Sequence, residues 1–139
     1  MSQLCWTAHP DGSYWIDALI GNQKLPAMVD LALIDPSHLM GASLEPAIYD
    51  RLEISGEFPR QHARRSRDAS GRYVTIDTAL TTIQLLEPKT RNPAGPIVHI
   101  YVGRGAPAIP SRVGVAFFHR FSGGRVIWDL KVRTWSIEF

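Results

Sequence analysis

The feature that most limits what this chain can fold into is its punctuation. Short runs of β-branched and aromatic residues are separated by Asp11-Gly12, Gly21-Asn22, Ser70-Gly71 and Gly123-Gly124. These dipeptides supply the positive φ of tight turns, so a chain cut by them at short intervals folds as strands joined by hairpins. The runs predict strands near residues 3–8, 13–20, 24–30, 63–69, 72–86, 96–103, 125–130 and 133–139. That spacing favours an all-β domain of barrel or sandwich type. Two short helices interrupt it. Over residues 43–52, Ser43 can cap, Pro46 can sit in the first turn, and Ile48 and Leu52 share one face. Over residues 115–121, Phe117, Phe118 and Phe121 are too apolar to stay in water. Pro88, Pro93, Pro96, Pro107 and Pro110 predict loops over 87–96 and 104–112, flanking an edge strand.

Length and composition set the scale. With 139 residues and 45% hydrophobic content, residues 1–139 make a single domain whose core needs neither disulfides nor a structural metal. The one cysteine, Cys5, excludes an intrachain disulfide, fits a reducing compartment, and is expected to be a buried, inert thiol. A net charge of +2 with 20% charged residues demands no nucleic-acid partner. The N-terminus lacks a basic segment followed by an apolar run, and no segment approaches the roughly 20 apolar residues that cross a bilayer. The expectation is a cytoplasmic protein with no membrane partner.

Several chemistries lack their residues. His9, His38, His62, His99 and His119 are scattered without ligand spacing, so neither a metal nor another cofactor is expected. Gly103-Arg104-Gly105 leads into Ala-Pro rather than a helix, and no phosphate-binding glycine pattern occurs. The run from Arg60 to Arg67 is the one concentration of charge. It could bind phosphate or an acidic peptide, but no aromatic residues interleave with it, and a solvated loop is the simpler reading. Trp6, Trp15, Trp128 and Trp135 fall in strand-like runs and are expected in the core or at a subunit surface.

Two longer patterns belong together. The first is a hairpin running into an aspartate: Tyr14 to Asp30, turning at Gly21-Asn22-Gln23, with Leu25, Ala27 and Val29 alternating along the incoming strand. The second is Val113-Gly114 leading into the helix at 115–121, then two strand-like segments to Phe139. Together they resemble the retropepsin-like aspartic proteases, whose half-size chains dimerise to bring two aspartates together. The resemblance implies a closed retropepsin-like barrel and a homodimer with Asp30 at the catalytic position. Asp35, which ends the similar run Ala32-Leu33-Ile34-Asp35, is the alternative. It also implies substrate-contacting positions at Leu31, Ala32, Ser70 and Gly71, the last two at the tip of a flap over residues 68–73. It further implies that the terminal strands, Gln3 to Trp6 and Trp135 to Phe139, pair between subunits.

The chain departs from that pattern where chemistry is concentrated. The family carries Thr or Ser and then Gly after the aspartate, whereas this chain reads Asp30-Leu31-Ala32. Leu31 has no hydroxyl to brace a dimer, and Ala32 adds a methyl group where close backbone approach is expected. Asp35 is followed by Pro36, which also lacks a hydroxyl and removes a backbone donor. Arg112 stands where the family has a hydrophobic residue before Val113-Gly114. The expected function is therefore a catalytically lapsed protein that binds an extended peptide in a dimer groove. The alternative is an active homodimeric endopeptidase using Asp30 from each subunit, whose two carboxyls share one proton.

Overall fold

The computed structural model describes residues 3–29, 40–58, 60–67, 70–120 and 125–139. In chain order these form β1 (Gln3–Thr7), β2 (Trp15–Ile20), β3 (Gln23–Val29), β4 (Met40–Leu44), α1 (Pro46–Ile54), β5 (Arg60–Arg67), β6 (Tyr73–Leu85), β7 (Val98–Arg104), β8 (Arg112–Val113), α2 (Val115–Phe118), β9 (Arg125–Asp129) and β10 (Thr134–Glu138). The fold is all-β, with two short helices.

Seven strands pair in the order β2-β3-β8-β4-β7-β6-β5, and β2 pairs a second time with β6, Ala18 to Ile20 lying against Leu85 to Ile83. The hydrogen-bonded neighbours β2, β3, β8, β4, β7 and β6 therefore run in a ring, with β5 hanging from β6 outside it. Period-two alternation fills the inside. Ile16, Ala18 and Ile20 of β2, Leu25 and Ala27 of β3, and Val98, Ile100 and Val102 of β7 are all buried in one cluster. Tyr49 and Leu52 of α1 join it, as does Phe117 of α2.

Several expectations need correction. β7 is a central strand between β4 and β6, because Pro96 precedes it and leaves its ladder intact on both sides. The two-residue β8 begins at Arg112, the last residue of the stretch read as a loop, and is too short to show a period of its own. Ser43 does not cap α1. It belongs to β4, and the helix begins at Pro46 with Glu45 in the capping position and no side-chain cap. The Glu45 backbone N–H donates instead to the Ser111 hydroxyl, at 3.0 Å. Cys5 is exposed, because Leu4 and Trp6 take the core face of β1 and leave the residue between them pointing outward. The arginine-rich run is a strand, β5, paired along its length with β6. Phe121 and Gly123-Gly124 lie outside the described residues.

The termini also differ from expectation. They form a second sheet, β1-β10-β9, within one chain rather than between subunits. Trp6, Trp135 and Trp128 stand directly opposite one another across its three strands. Their rings stack at centroid distances of 5.0 Å for Trp6–Trp135 and 5.8 Å for Trp128–Trp135. Tyr14 and Phe118 meet Trp135 edge-on from outside the sheet. Trp135 and Ile137 are fully buried, which is why the last strand belongs to its own subunit's core.

Two substitutions test this packing. Ile137→Ala is expected to lower stability by about 2–5 kcal/mol in urea unfolding, to the same extent at low and high protein concentration. A loss that grows on dilution would return this strand to a subunit interface. Gly105 lies against β4, where an added Cβ would stand 2.8 Å from the Leu44 carbonyl oxygen and 2.9 Å from Ser43 Oγ. Gly105→Ala is therefore expected to cost about 1–3 kcal/mol, and an unchanged unfolding midpoint would show that β4 and β7 can part freely.

Candidate functional site

Three strands meet at the end of β3, the residue before the expected aspartate turn. The short β8 lies between β3, to which it runs parallel, and β4, to which it runs antiparallel. Val29 pairs with Val113 and Val113 with Ala42, while Met28 pairs with Arg112 and Arg112 with Ser43. Val113 and Ala42 are completely buried and Val29 packs on the core, so Met28, Arg112 and Ser43 take the opposite face. Backbone hydrogen bonds pin the frame: Met28 N–H to the Ser111 carbonyl at 2.9 Å, Val29 N–H to Tyr14 at 2.8 Å, and Gly114 N–H to Gly41 at 3.0 Å. Arg112 is half-buried. Its Nε is buried and makes no hydrogen bond itself, while the residue is engaged through other atoms.

Asp30, Leu31, Ala32 and Asp35 lie outside the described residues. What the structure adds is the strand that leads to them: β3 ends at Val29, the residue directly before Asp30.

Ser70 and Gly71 lie at the turn joining β5 to β6, where Gly71 has φ +83° and open space around it. A residue with a side chain would be strained there by its backbone alone. The hairpin projects. β6 is 13 residues long, and only its half from Thr78 onward pairs with β7, whereas residues 73–80 pair with β5. Along residues 73–75 of the free arm both faces are exposed. Tyr73 is 59% and Val74 36% exposed, and the guanidinium of Arg65 lies 4.4 Å from the Tyr73 ring centroid.

One feature was missed in the sequence. An open cleft of about 220 Å³, lined by Tyr49, Glu53, Gln61, Ala63, Asp77 and Thr78, lies where α1 meets the base of the hairpin. It is smaller than a typical small-molecule pocket. The spacing of Tyr49 and Glu53, one helical turn apart, was the signal available for half of it. Burial pushes the Tyr49 phenol up to about 12, with the charges of Asp77, Glu53 and Asp50 adding to the effect. Beside it, Arg104 grips Asp50 through Nε to Oδ1 at 3.0 Å and Nη2 to Oδ2 at 3.1 Å. Those hydrogen bonds hold the Asp50 carboxyl below its ordinary range. Among the described residues no group of three His, Cys, Asp or Glu side chains could hold a metal. No helix there is long and apolar enough to cross a membrane.

Comparison with protein-family models found no match, and neither did comparison with curated protein sequences. Among solved structures, the fold is similar to that of a retropepsin-like aspartic protease from Rickettsia conorii. The TM-score is 0.65 at 17% identity, over 98% of this chain and 89% of that one. The fold is therefore retropepsin-like, and at this identity the likeness speaks for the fold alone.

The Tyr49 environment sets an alkaline limit. In the unfolded chain the phenol titrates near its ordinary 10.0, in the fold near 12. Stability from this residue is fully present below the lower value and declines as pH rises toward the upper one. Tyr49→Phe is expected to flatten the fall in stability across that window, read by urea unfolding at stepped pH. An identical slope in both proteins would show that the phenol is not what titrates.

Proposed function

We propose that this chain is a catalytically lapsed protein of retropepsin-like fold that binds an extended peptide beneath the β5–β6 hairpin, in a groove completed by a second copy of itself. The observation that carries the reading is the hairpin's free arm. Residues 73–77 of β6 pair with β5 on one edge and, among the described residues, leave the other edge open, and they gain from a partner that fills it. An extended peptide does so by adding main-chain hydrogen bonds along the strand. Ser70 and Gly71 at the tip, together with Leu31 and Ala32, are the proposed peptide contacts. One aspartate turn per chain makes a two-fold homodimer the arrangement in which a carboxyl pair, ancestral or active, is complete.

Lapsed chemistry is the preferred reading because Leu31 supplies no hydroxyl and Ala32 carries a methyl group where the family has glycine. An active endopeptidase is the second reading, favoured by the intact β3-β8-β4 frame that ends next to Asp30. That frame also supports Asp30 over Asp35, which lies further along the chain from the end of β3.

Purified protein is expected to leave unstructured peptides uncut between about pH 4 and 7, where a carboxyl dyad could share its proton. Asp30→Asn is expected to bind a labelled extended peptide with affinity within about twofold of wild type. Turnover by mass spectrometry and binding by fluorescence anisotropy are read side by side. Robust cleavage abolished by Asp30→Asn would replace the lapsed reading with the active one.

A further inference from the structure

We infer that the cleft between α1 and the root of the β5–β6 hairpin receives the cationic head of a lysine or arginine side chain from a partner polypeptide. The inference is independent of the peptide groove proposed above, because the residues that form the cleft all lie in described elements. Two separate observations carry it. The first is negative charge left unbalanced. Glu53 on α1 and Asp77 on β6 line the cleft and make no ion pair or hydrogen bond through their side chains among the described residues. Arg104, the cation on neighbouring β7, is committed to Asp50 in two-point contact at 3.0 and 3.1 Å. The charges that act most strongly on the Tyr49 phenol are accordingly Asp77, Glu53 and Asp50 against Arg104, so the cleft favours a cation.

The second observation is Tyr49 itself, which is only 2% exposed. Its hydroxyl makes no hydrogen bond among the described residues, yet it is not closed off from solvent. The small area it keeps therefore opens into the cleft it lines. Buried polar groups are rarely left without a partner, and this one stands among acceptors. Two carboxylates, a phenol oxygen and the side-chain oxygen of Gln61 match a head group that carries donors alone, as ammonium and guanidinium do. Ala63 and the Tyr49 ring offer apolar surface to the methylene stem. A volume of about 220 Å³ is small for a whole ligand molecule and suits one side-chain head. A metal ion lacks its ligands, since no group of three His, Cys, Asp or Glu side chains gathers among the described residues. Ala63 stands opposite Asp77 in the β5–β6 register, and pairing of β6 with β7 starts at the next residue, Thr78. A head group bound there bridges α1 and the place where the hairpin leaves the ring.

The test titrates the wild-type protein with N-acetylarginine amide, N-acetyllysine amide and N-acetylcitrulline amide, read by amide NMR at constant ionic strength. Citrulline keeps the shape of arginine without its charge. The cationic probes are expected to give saturable shifts at Tyr49, Glu53, Gln61 and Asp77, and the citrulline probe to bind roughly tenfold more weakly than the arginine probe. Binding by one of the two cationic probes alone keeps the inference and names the side chain. Glu53→Gln combined with Asp77→Asn is expected to weaken cation binding roughly tenfold, and Tyr49→Phe roughly threefold. The citrulline comparison needs no variant, and so stands if the double variant fails to fold. Equal binding of the arginine and citrulline probes would overturn the inference. So would full affinity kept by the folded double variant, shifts confined to other parts of the chain, or no shift at the highest probe concentration. Calcium chloride that displaces the cationic probes and shifts the same amides to saturation would make this a metal-ion site instead.

Discussion

The arrangement turns on a strand two residues long. Without β8, β3 and β4 would have no common partner, because β3 meets the rest of the ring on this side only through Met28 and Val29. Val113 holds both neighbours at once, parallel to Val29 and antiparallel to Ala42, with its side chain fully buried. Ser111, just before it, accepts the Met28 N–H with its carbonyl and the Glu45 N–H with its hydroxyl, so the same segment fixes the end of β3 and the start of α1. Gly114, just after it, donates to Gly41 and opens α2. The end of β3, next to Asp30 in the sequence, is thus held by a wedge rather than by a long ladder. A wedge of this kind responds sharply to changes in its two or three side chains.

The terminal sheet solves a different problem. Strands at chain ends fray unless something holds them, and here the holding force is aromatic. Trp135 is stacked on both sides by cross-strand tryptophans and touched edge-on by Tyr14 and Phe118. Area burial of such rings contributes roughly 1.5–3 kcal/mol each, with stacked or edge-on pairs adding about 0.5–1.5 kcal/mol. Against this stands the burial of Trp6 Nε1 and Trp135 Nε1 without hydrogen bonds, at about 1–3 kcal/mol each. The apolar terms exceed that cost. Among the described residues the outer edges of β1 and β9 stay unpaired in the sheet order, and Ile127, Leu130 and Val132 on and beyond β9 are exposed.

Where the sequence speaks in periods and turns, it was legible. The β2–β3 hairpin follows from Gly21-Asn22 and from Leu25 and Ala27, which alternate inward as expected. α1 follows from Pro46, Ile48 and Leu52, although its start does not, because the N-cap residue is Glu45, whose N–H donates to the Ser111 hydroxyl, distant in sequence. β4 was hidden because Gly41-Ala42-Ser43 has no strand propensity of its own, and β8 because two residues carry no pattern. Cys5 was misplaced by composition, which favours burial, when parity along β1 decides otherwise. At the site, the turn at Ser70 and Gly71 was legible from its dipeptide. The cleft beside Tyr49 was not, since Asp77 and Gln61 reach it only through the pairing of β5 with β6.

The departures from the protease pattern belong together once the register is known. Leu31 and Ala32 follow Asp30 directly, and Arg112 pairs with the residue two before it. A carboxyl dyad works because its two members share one proton, a state that depends on each being able to take it up. A guanidinium beside such a dyad would favour the ionised carboxylate and oppose that sharing. On the proposed reading, loss of the bracing hydroxyl, loss of the close-approach glycine and gain of a cation are changes in one direction, away from a working dyad.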